Sequence, residues 1–556
     1  MADTVTDTVP TLPRLFARAA GTSPDRDCVV FPDGRRSYGE VDAAAVAVAR
    51  SLVALGVRPG DAVGALMPNC PDFVPVMLGA SMAGALFVPV NARLAPREIA
   101  HVVVDSAMTV LLTTDDVVDH VDFVARLHLA LPELAAGAPG STPPLAAAPG
   151  LRHVVVLGER PAAGFLDRPV FLAAGEAVDP ADVRATAAAV GPDDPYIMMY
   201  TSGTTAAPKG CPLRHGSVVG LGRALGREAL RMTADDRMWN PLPMFHVSAQ
   251  APMMAVFDAG AAWVSMTHFD PDLALDEIER ERATLLWPAY PTLTAPLLHH
   301  PRYTPDTFRR VRAVLTVGPP DLLRGYQERL PHTAHVSCYG STETGGVAIM
   351  GRPGDPLEER LTSGKPFAGV EAQVRDPLTG EVLPPGGTGP LWIRGFNVFT
   401  GYRNDPEKTA ASFDRDGWFA TGDLASVDAA GNLTFRGRTK DMLKVGGENV
   451  GALEVETYLT GHPDIALAGV VGVPDARYGE VPAAFVELAP GASLTADDVL
   501  AYCRAGLARY KVPRYVRFVT EWPTSATKVQ KFRLRDRILA ELGITEPLED
   551  SPWIST

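Results

Sequence analysis

The sequence predicts an α/β fold, with a large N-terminal multi-subdomain body and a small C-terminal α+β domain. Short apolar runs alternate with longer helical patterns over most of the 556 residues, the signature of buried, largely parallel strands linked by helices. The Gly- and charge-rich stretch FRGRTKDMLKVGGEN precedes a compact βαβ-like C-terminal pattern, which puts a boundary near residue 440 and the expected domains at 1–437 and 438–556.

Taken in order, Ser37 with Glu40 forms a capping-box signature, after which Val41, Ala45, Val48, Leu52 and Leu55 recur at helical spacing until Gly56,. Strands are expected at Ala62 to Leu66, Val102 to Leu112, Arg152 to Leu157, Val311 to Val317 and Leu391 to Ile393. The uncharged run from Phe73 to Val90 approaches the length of a membrane span. Its prolines and glycines favour a helix, a turn at Gly84 and a buried strand from Ala85 to Val90,. Residues 135–150, rich in Pro, Gly and Ala, read as a surface excursion,. The GLGRALG segment, Gly220 to Gly226, has the wrong spacing for a dinucleotide fingerprint,.

Composition narrows the function. With 46% hydrophobic and 21% charged residues the chain matches globular usage,. A net charge of -14 excludes nucleic-acid binding by bulk electrostatics,. Five scattered cysteines with no CxxC pair indicate neither a disulfide framework nor a thiolate zinc site,. The acidic N-terminus lacks a secretory pattern, so the expectation is a cytoplasmic protein with no membrane span,.

The most informative stretch is YTSGTTAAPKG, Tyr200 to Gly210. An apolar strand leads into hydroxyls at Thr201, Ser202, Thr204 and Thr205 around Gly203, followed by the ammonium of Lys209. Hydroxyls, turn amides and one cation on such a loop suit a polyphosphate. The spacing is not that of a Walker A loop, and taken alone the stretch also fits a polar Ser/Thr turn.

This stretch resembles the phosphate loop of the adenylate-forming (ANL) superfamily, which includes acyl-CoA synthetases. PLPMFH (241–246), the VGPP turn (317–320), YGSTET (339–344), WFATGDL (418–424), GRTKDMLKVGGENV (437–450) and PTSATKVQK (523–531) resemble further family motifs in order. The form SATKVQK is most similar to ligases of the crotonobetaine and carnitine type. The resemblance implies an AMP-binding fold and a two-step reaction with ATP, Mg2+ and CoA. An acid is adenylated with loss of pyrophosphate, and CoA then displaces AMP.

On that resemblance Lys528, Glu343, Thr342 and Lys209 are the catalytic residues, with Glu343 associated with Mg2+ as the metal residue. Thr201, Ser202, Gly203, Thr204, Thr205 and Thr342 contact phosphate. Tyr339, Gly340 and the turn Gly318, Pro319 and Pro320 hold adenine, and Asp423 with Arg438 takes the ribose. Lys531 is a rival for Lys528. Lys440 is the hinge about which the small domain swings, and Lys444, Gly446 and Gly447 line the CoA tunnel. His246, Trp287 and Tyr290 border the acyl pocket. Bulky rings there shorten a pocket, which leans the substrate towards a short or aromatic acid.

Two positions depart from the commonest family pattern: Ala206 stands for a glycine in the phosphate loop, and Thr527 for a glycine before Lys528. The acceptor alternatives are CoA, a carrier protein, or an arylamine diazotised with ATP and nitrite at the same site. A homodimer is among the partners the sequence allows.

Overall fold

The computed structural model describes residues 9–544 except 118, 159, 202–207, 446, 447, 476, 526 and 527. The chain divides into two compact units. One comprises Met1–Val317, Arg329–Ala372 and Trp392–Thr421, and the other Gly318–Glu328, Gln373–Leu391 and Gly422–Thr556.

The larger unit holds two seven-stranded sheets. The first runs, in spatial order, Leu166–Asp167, His153–Val156, Met108–Thr113, Ala62–Leu66, Leu86–Pro89, Pro195–Thr201, Lys209–Arg214. All its pairs are parallel except the last, an antiparallel hairpin between Pro195–Thr201 and Lys209–Arg214. The second runs Ala334–Val336, Ala313–Thr316, Leu285–Ala289, Arg237–Trp239, Ala262–Val264, Asp27–Phe31, Gly34–Ser37, and is again parallel up to its final hairpin. Strand Ala62–Leu66 is buried at every position, as expected for a parallel strand covered on both faces.

Local signals placed several elements well. Helix Tyr38–Ala54 begins at Ser37 with both halves of the capping box formed. The uncharged run folds as helix Phe73–Met82, a left-handed turn at Gly84 (φ 71°) and strand Leu86–Pro89. No helix among the described residues is long and apolar enough to cross a membrane. The GLGRALG segment is helical throughout: Gly220 to Ala224 close the α-helix His215–Ala224, and Leu225 and Gly226 open the π-helical turn Leu225–Ala229.

One expected strand is corrected. Val102 to Ser106 close the helix Pro96–Ser106, Ala107 turns at φ 53°, and the strand is Met108–Thr113. Pro96 at the first helical position and the Glu98 carboxylate on the Ala95 N–H start that helix, and Ile99, Val102, Val103 and Ser106 bury one helical face. Start signals and 3.6-residue burial outweigh the β-preference of three valines. The excursion at 135–150 is not wholly surface: Leu145 and Ala148 are buried in the core of the first sheet.

The smaller unit is built on a five-stranded sheet. Strands Glu448–Gly451, Met442–Val445, Gly479–Leu488 and Ile465–Asp475 run antiparallel, and Tyr515–Phe518 adds in parallel to Gly479–Leu488. Helices Ala452–Thr460 and Ala496–Gly506 bury Val455, Leu459, Val499 and Cys503 on one face, and helix Lys531–Leu542 buries Leu534 and Ile538 on the other.

Candidate active site

In the larger unit, the hairpin expected to take phosphate pairs Thr201 directly with Lys209. Directly opposed residues of an antiparallel pair project to the same face, so hydroxyl and ammonium share one edge. Ser202, Gly203, Thr204, Thr205 and Ala206, between them, lie outside the described residues. The hairpin is tied down on both sides. The Tyr200 hydroxyl donates to Asp105 at 2.7 Å, and the His101 Nε2 lies 2.9 Å from the Pro208 carbonyl oxygen. Lys209 Nζ stands 3.3 Å from Asp405.

The segment Tyr339–Thr344 folds back on itself. The Ser341 N–H donates to Thr344 Oγ1 at 2.8 Å and the Gly346 N–H to the Ser341 carbonyl at 2.9 Å. Gly340 has no room for a side chain: a Cβ there would stand 1.8 Å from the Gly346 carbonyl oxygen. Asn397 donates to the Thr344 carbonyl, and the Phe399 N–H to that of Glu343. Glu343 is thereby held by its backbone, and its carboxylate accepts from the Tyr402 hydroxyl at 2.9 Å. Tyr339 is buried beside this turn, while Thr342 is half-buried.

The residues expected on the acyl side belong to the same unit. His246 precedes helix Val247–Ala259, its ring 5.0 Å from that of Phe245. Its Nε2 is sealed from solvent and makes no hydrogen bond among the described residues. Burial, with the nearby Arg93 cation, pushes the imidazole down to about 4, so it is neutral at pH 7. The approach to His246 is pinned by Asn69, which accepts from the Met244 N–H at 2.7 Å and donates to the Leu242 and Met266 carbonyls. Gln250 donates to the Met244 carbonyl and accepts from Tyr196.

Trp287 is buried on its strand, and Tyr290 is half-buried after a tight turn. In that turn Ala289 takes φ 58° and the Tyr290 N–H donates to the Pro288 carbonyl at 2.7 Å.

In the smaller unit, Gly318 and Pro319 precede helix Pro320–Arg329. A Cβ at Gly318 would lie 3.3 Å from Leu322 and Leu323. Asp423 and Arg438 are register partners on adjacent strands, and Arg438 Nε stands 3.6 Å from the buried Asp423 carboxylate. Lys440 lies in the turn Thr439–Asp441, Lys444 on strand Met442–Val445, and Lys528 on the short strand Lys528–Val529 paired with Thr524–Ser525. The side chains of these three lysines, and Gly446, Gly447 and Thr527, lie outside what the structure describes. Lys531, the rival for Lys528, is committed elsewhere: its Nζ is 2.7 Å from Glu456 and 3.9 Å from Asp441.

Set against proteins of known family, residues 16–403 match the family model of the AMP-binding enzymes, and residues 454–528 that of the AMP-binding enzyme C-terminal domain. The chain belongs to the AMP-binding enzymes. It is 37% identical over 532 residues to a 7a-methyl-1,5-dioxo-octahydro-1H-inden-4-yl-propanoyl:CoA ligase of Mycobacterium tuberculosis, covering 95% of this chain and 98% of that one. It is 35% identical over 526 residues to a feruloyl-CoA synthase of Amycolatopsis, covering 94% and 97%. The structure of the anthranilate CoA ligase AuaEII in complex with anthranoyl-AMP superposes with a TM-score of 0.82 at 27% identity, covering 98% of this chain and 100% of that one. This AMP-binding enzyme is thus an adenylate-forming ligase of the acyl-CoA synthetase kind.

The motif reading missed several residues that contact the candidate site. Tyr402, Asp405 and Lys408 meet Glu343 and Lys209 through the segment GYRNDPEKT, and Asn69 and Gln250 hold the backbone before His246. Tyr, Asp and Lys at intervals of three in a Gly- and Pro-bounded loop were the available signal. Among the described residues no group of three or more His, Cys, Asp or Glu side chains could hold a metal by itself.

Proposed function

We propose that this AMP-binding enzyme is a carboxylic acid:CoA ligase for a short or aromatic acid, with the adenylation site on the edge shared by Thr201, Lys209 and Glu343. The observation that carries the reading is the Glu343 carboxylate, fixed by Tyr402 in the same cluster as Lys209. One oriented carboxylate is the kind of oxygen donor Mg2+ takes together with phosphate oxygens, and the donor set fits. Bound there, Mg2+ supplies charge neutralisation to the phosphates.

The remaining chemistry belongs to the chain's own residues. An acid oxygen forms a bond to the α-phosphorus of ATP as the bond to pyrophosphate breaks. Thr201, Ser202, Gly203, Thr204, Thr205, Lys209 and Thr342 take the phosphate oxygens. Tyr339, Gly340 and the turn Gly318, Pro319 and Pro320 hold the base, and Asp423, oriented by Arg438, accepts from the ribose hydroxyls.

Lys528 neutralises the charge developing at the α-phosphate, and the commitment of Lys531 to Glu456 supports this assignment,. A swing at Lys440, the junction of domains 1–437 and 438–556, then presents Lys444, Gly446 and Gly447 to the pantetheine arm. The thiol attacks the acyl carbon and AMP leaves.

The substrate class rests on the acyl wall. A neutral His246 adds no charge where the acid's carboxylate enters, and half-buried Tyr290 offers a ring surface backed by the strand that carries buried Trp287. Relatives named for ferulate and anthranilate bear the same reading.

AMP and pyrophosphate release, measured with ATP and Mg2+ over aliphatic and aromatic acids with and without CoA, tests it. Acid-dependent AMP release that requires CoA and yields a thioester is expected, strongest with short or aromatic acids. Adenylate without CoA turnover would instead indicate a carrier-protein thiol, and release only with nitrite and an arylamine would indicate diazotisation. Either result overturns the reading.

A further inference from the structure

The cluster around Lys209 contains a second cation that the adenylation site, as read above, leaves without a task. Lys408 lies on helix Pro406–Ser412 with its Nζ 4.8 Å from the centre of the Tyr402 ring. That same tyrosine donates to Glu343 at 2.9 Å. Asp405 fixes the turn through both of its oxygens, one accepting from the Lys408 N–H at 3.1 Å and the other lying 3.3 Å from Lys209 Nζ. The Thr409 hydroxyl donates to the Asp405 carbonyl and accepts from the Tyr402 N–H, so residues 402–409 form one tied loop. Arg403 joins that loop to the hairpin by donating its N–H to the Gly210 carbonyl.

Two ammonium groups therefore meet at the foot of the phosphate hairpin with two carboxylates, Asp405 and Glu343. Burial and then Lys209 push the Lys408 ammonium below its ordinary range, while Asp405 and Glu343 act in the opposite sense. Two cations in one cluster repel one another, a cost that Asp405 and Glu343 offset and that a bound polyanion offsets further. An aromatic face beneath the ammonium steadies a cation without neutralising it.

We propose that Lys408 is a second pyrophosphate-binding residue, contacting the β- and γ-phosphates of ATP together with Lys209 and the departing pyrophosphate after the bond to the α-phosphorus breaks. Asp405 is then the counterion on which Lys209 rests while the site is empty, and it yields Lys209 to the nucleotide. The inference rests on the ATP site being where the phosphate hairpin and Glu343 put it.

The test is calorimetric binding of ATP, pyrophosphate and AMP to the full chain, which needs no knowledge of the acid. Lys408→Met is expected to weaken ATP and pyrophosphate by about tenfold, the size of one charge-assisted hydrogen bond, and to leave AMP unchanged, since AMP lacks the β- and γ-phosphates. Lys408→Arg is expected to restore pyrophosphate binding. Equal weakening of AMP would mark a structural role and overturn the proposal, as would unchanged pyrophosphate binding. Lys209→Met and Glu343→Gln run in parallel. If they lose ATP binding while Lys408→Met does not, only this inference fails. If neither affects ATP, the location of the site itself is wrong.

Discussion

The proposed phosphate edge and the proposed acyl wall belong to the same unit but are built on opposite principles. At the proposed phosphate edge four charged side chains, Lys209, Lys408, Asp405 and Glu343, are half-buried in one cluster, and Lys209 rests 3.3 Å from Asp405. At the acyl wall, Asn69, Gln250 and Tyr196 form a buried, uncharged hydrogen-bond network, and His246 stays neutral. The difference matches the ligands proposed for the two regions. A polyphosphate is rewarded by cations that can leave a resting partner, whereas a pocket for an apolar tail must keep its shape and leave no buried charge behind.

The largest expected effect tests whether charge drives the first half-reaction. Lys528→Ala should cut adenylation by about 10²- to 10³-fold, as removal of one transition-state donor does. Thioester formation from synthetic acyl-adenylate should be nearly unchanged. Lys531→Ala should show the reverse pattern: a lower melting temperature of the smaller unit from the loss of its Glu456 pair, with adenylation chemistry largely retained. An equal loss in both half-reactions for Lys528→Ala would erase the contrast between the two lysines.

Next comes the neutral network. Asn69→Ala strands the Met244 N–H and the carbonyls of Leu242 and Met266, and should cost about 3 kcal/mol by denaturant titration. Acid KM should rise more than ATP KM. An effect confined to ATP would mean that the acyl wall is not what Asn69 holds.

A smaller effect is set by pH. Glu277 is buried, accepts from Trp239 Nε1 at 3.1 Å, and is pushed up to about 7 by burial. Its folded pKa lies above its unfolded one. The protonated carboxyl therefore costs nothing at acid pH, and a penalty grows as pH rises from the ordinary carboxylate range through 7. Glu277→Gln should gain stability over the parent between pH 5 and pH 8, by up to roughly 2–3 kcal/mol. A difference that is flat with pH would show that the carboxyl is ionised throughout. Buried His215 and His246, both pushed down to about 4 by burial, destabilise at the acid end instead, so the comparison with the parent isolates Glu277.

The smallest effect is expected at Asp405. Asp405→Asn should tighten ATP a few-fold by freeing Lys209, an exposed-pair energy at most. Weaker ATP binding would show that Asp405 positions Lys209 and does not merely hold it in reserve.

What the chain made legible was what lies close together along it. The capping box at Ser37, the turn at Gly84 and the hairpin that pairs Thr201 with Lys209 are all local, and all form. Val102 to Ser106 misled because three valines favour a strand, while Pro96 and Glu98 had already committed the segment to a helix. The partnership of Glu343 with Tyr402, and of Lys209 with Asp405, spans chain separations that no periodicity reports. Asn69, alone in a run of apolar residues, acquires its meaning only when the segment before His246 is laid across it.

Gly340 sets a constraint of another kind. Because a methyl group there would overlap the Gly346 carbonyl oxygen, the position beside Glu343 has no mutational neighbourhood. A saturation library selected for folded, ATP-dependent protein should return glycine alone at 340, whereas half-buried positions around it tolerate change. The geometry of this turn is thus inherited whole or lost.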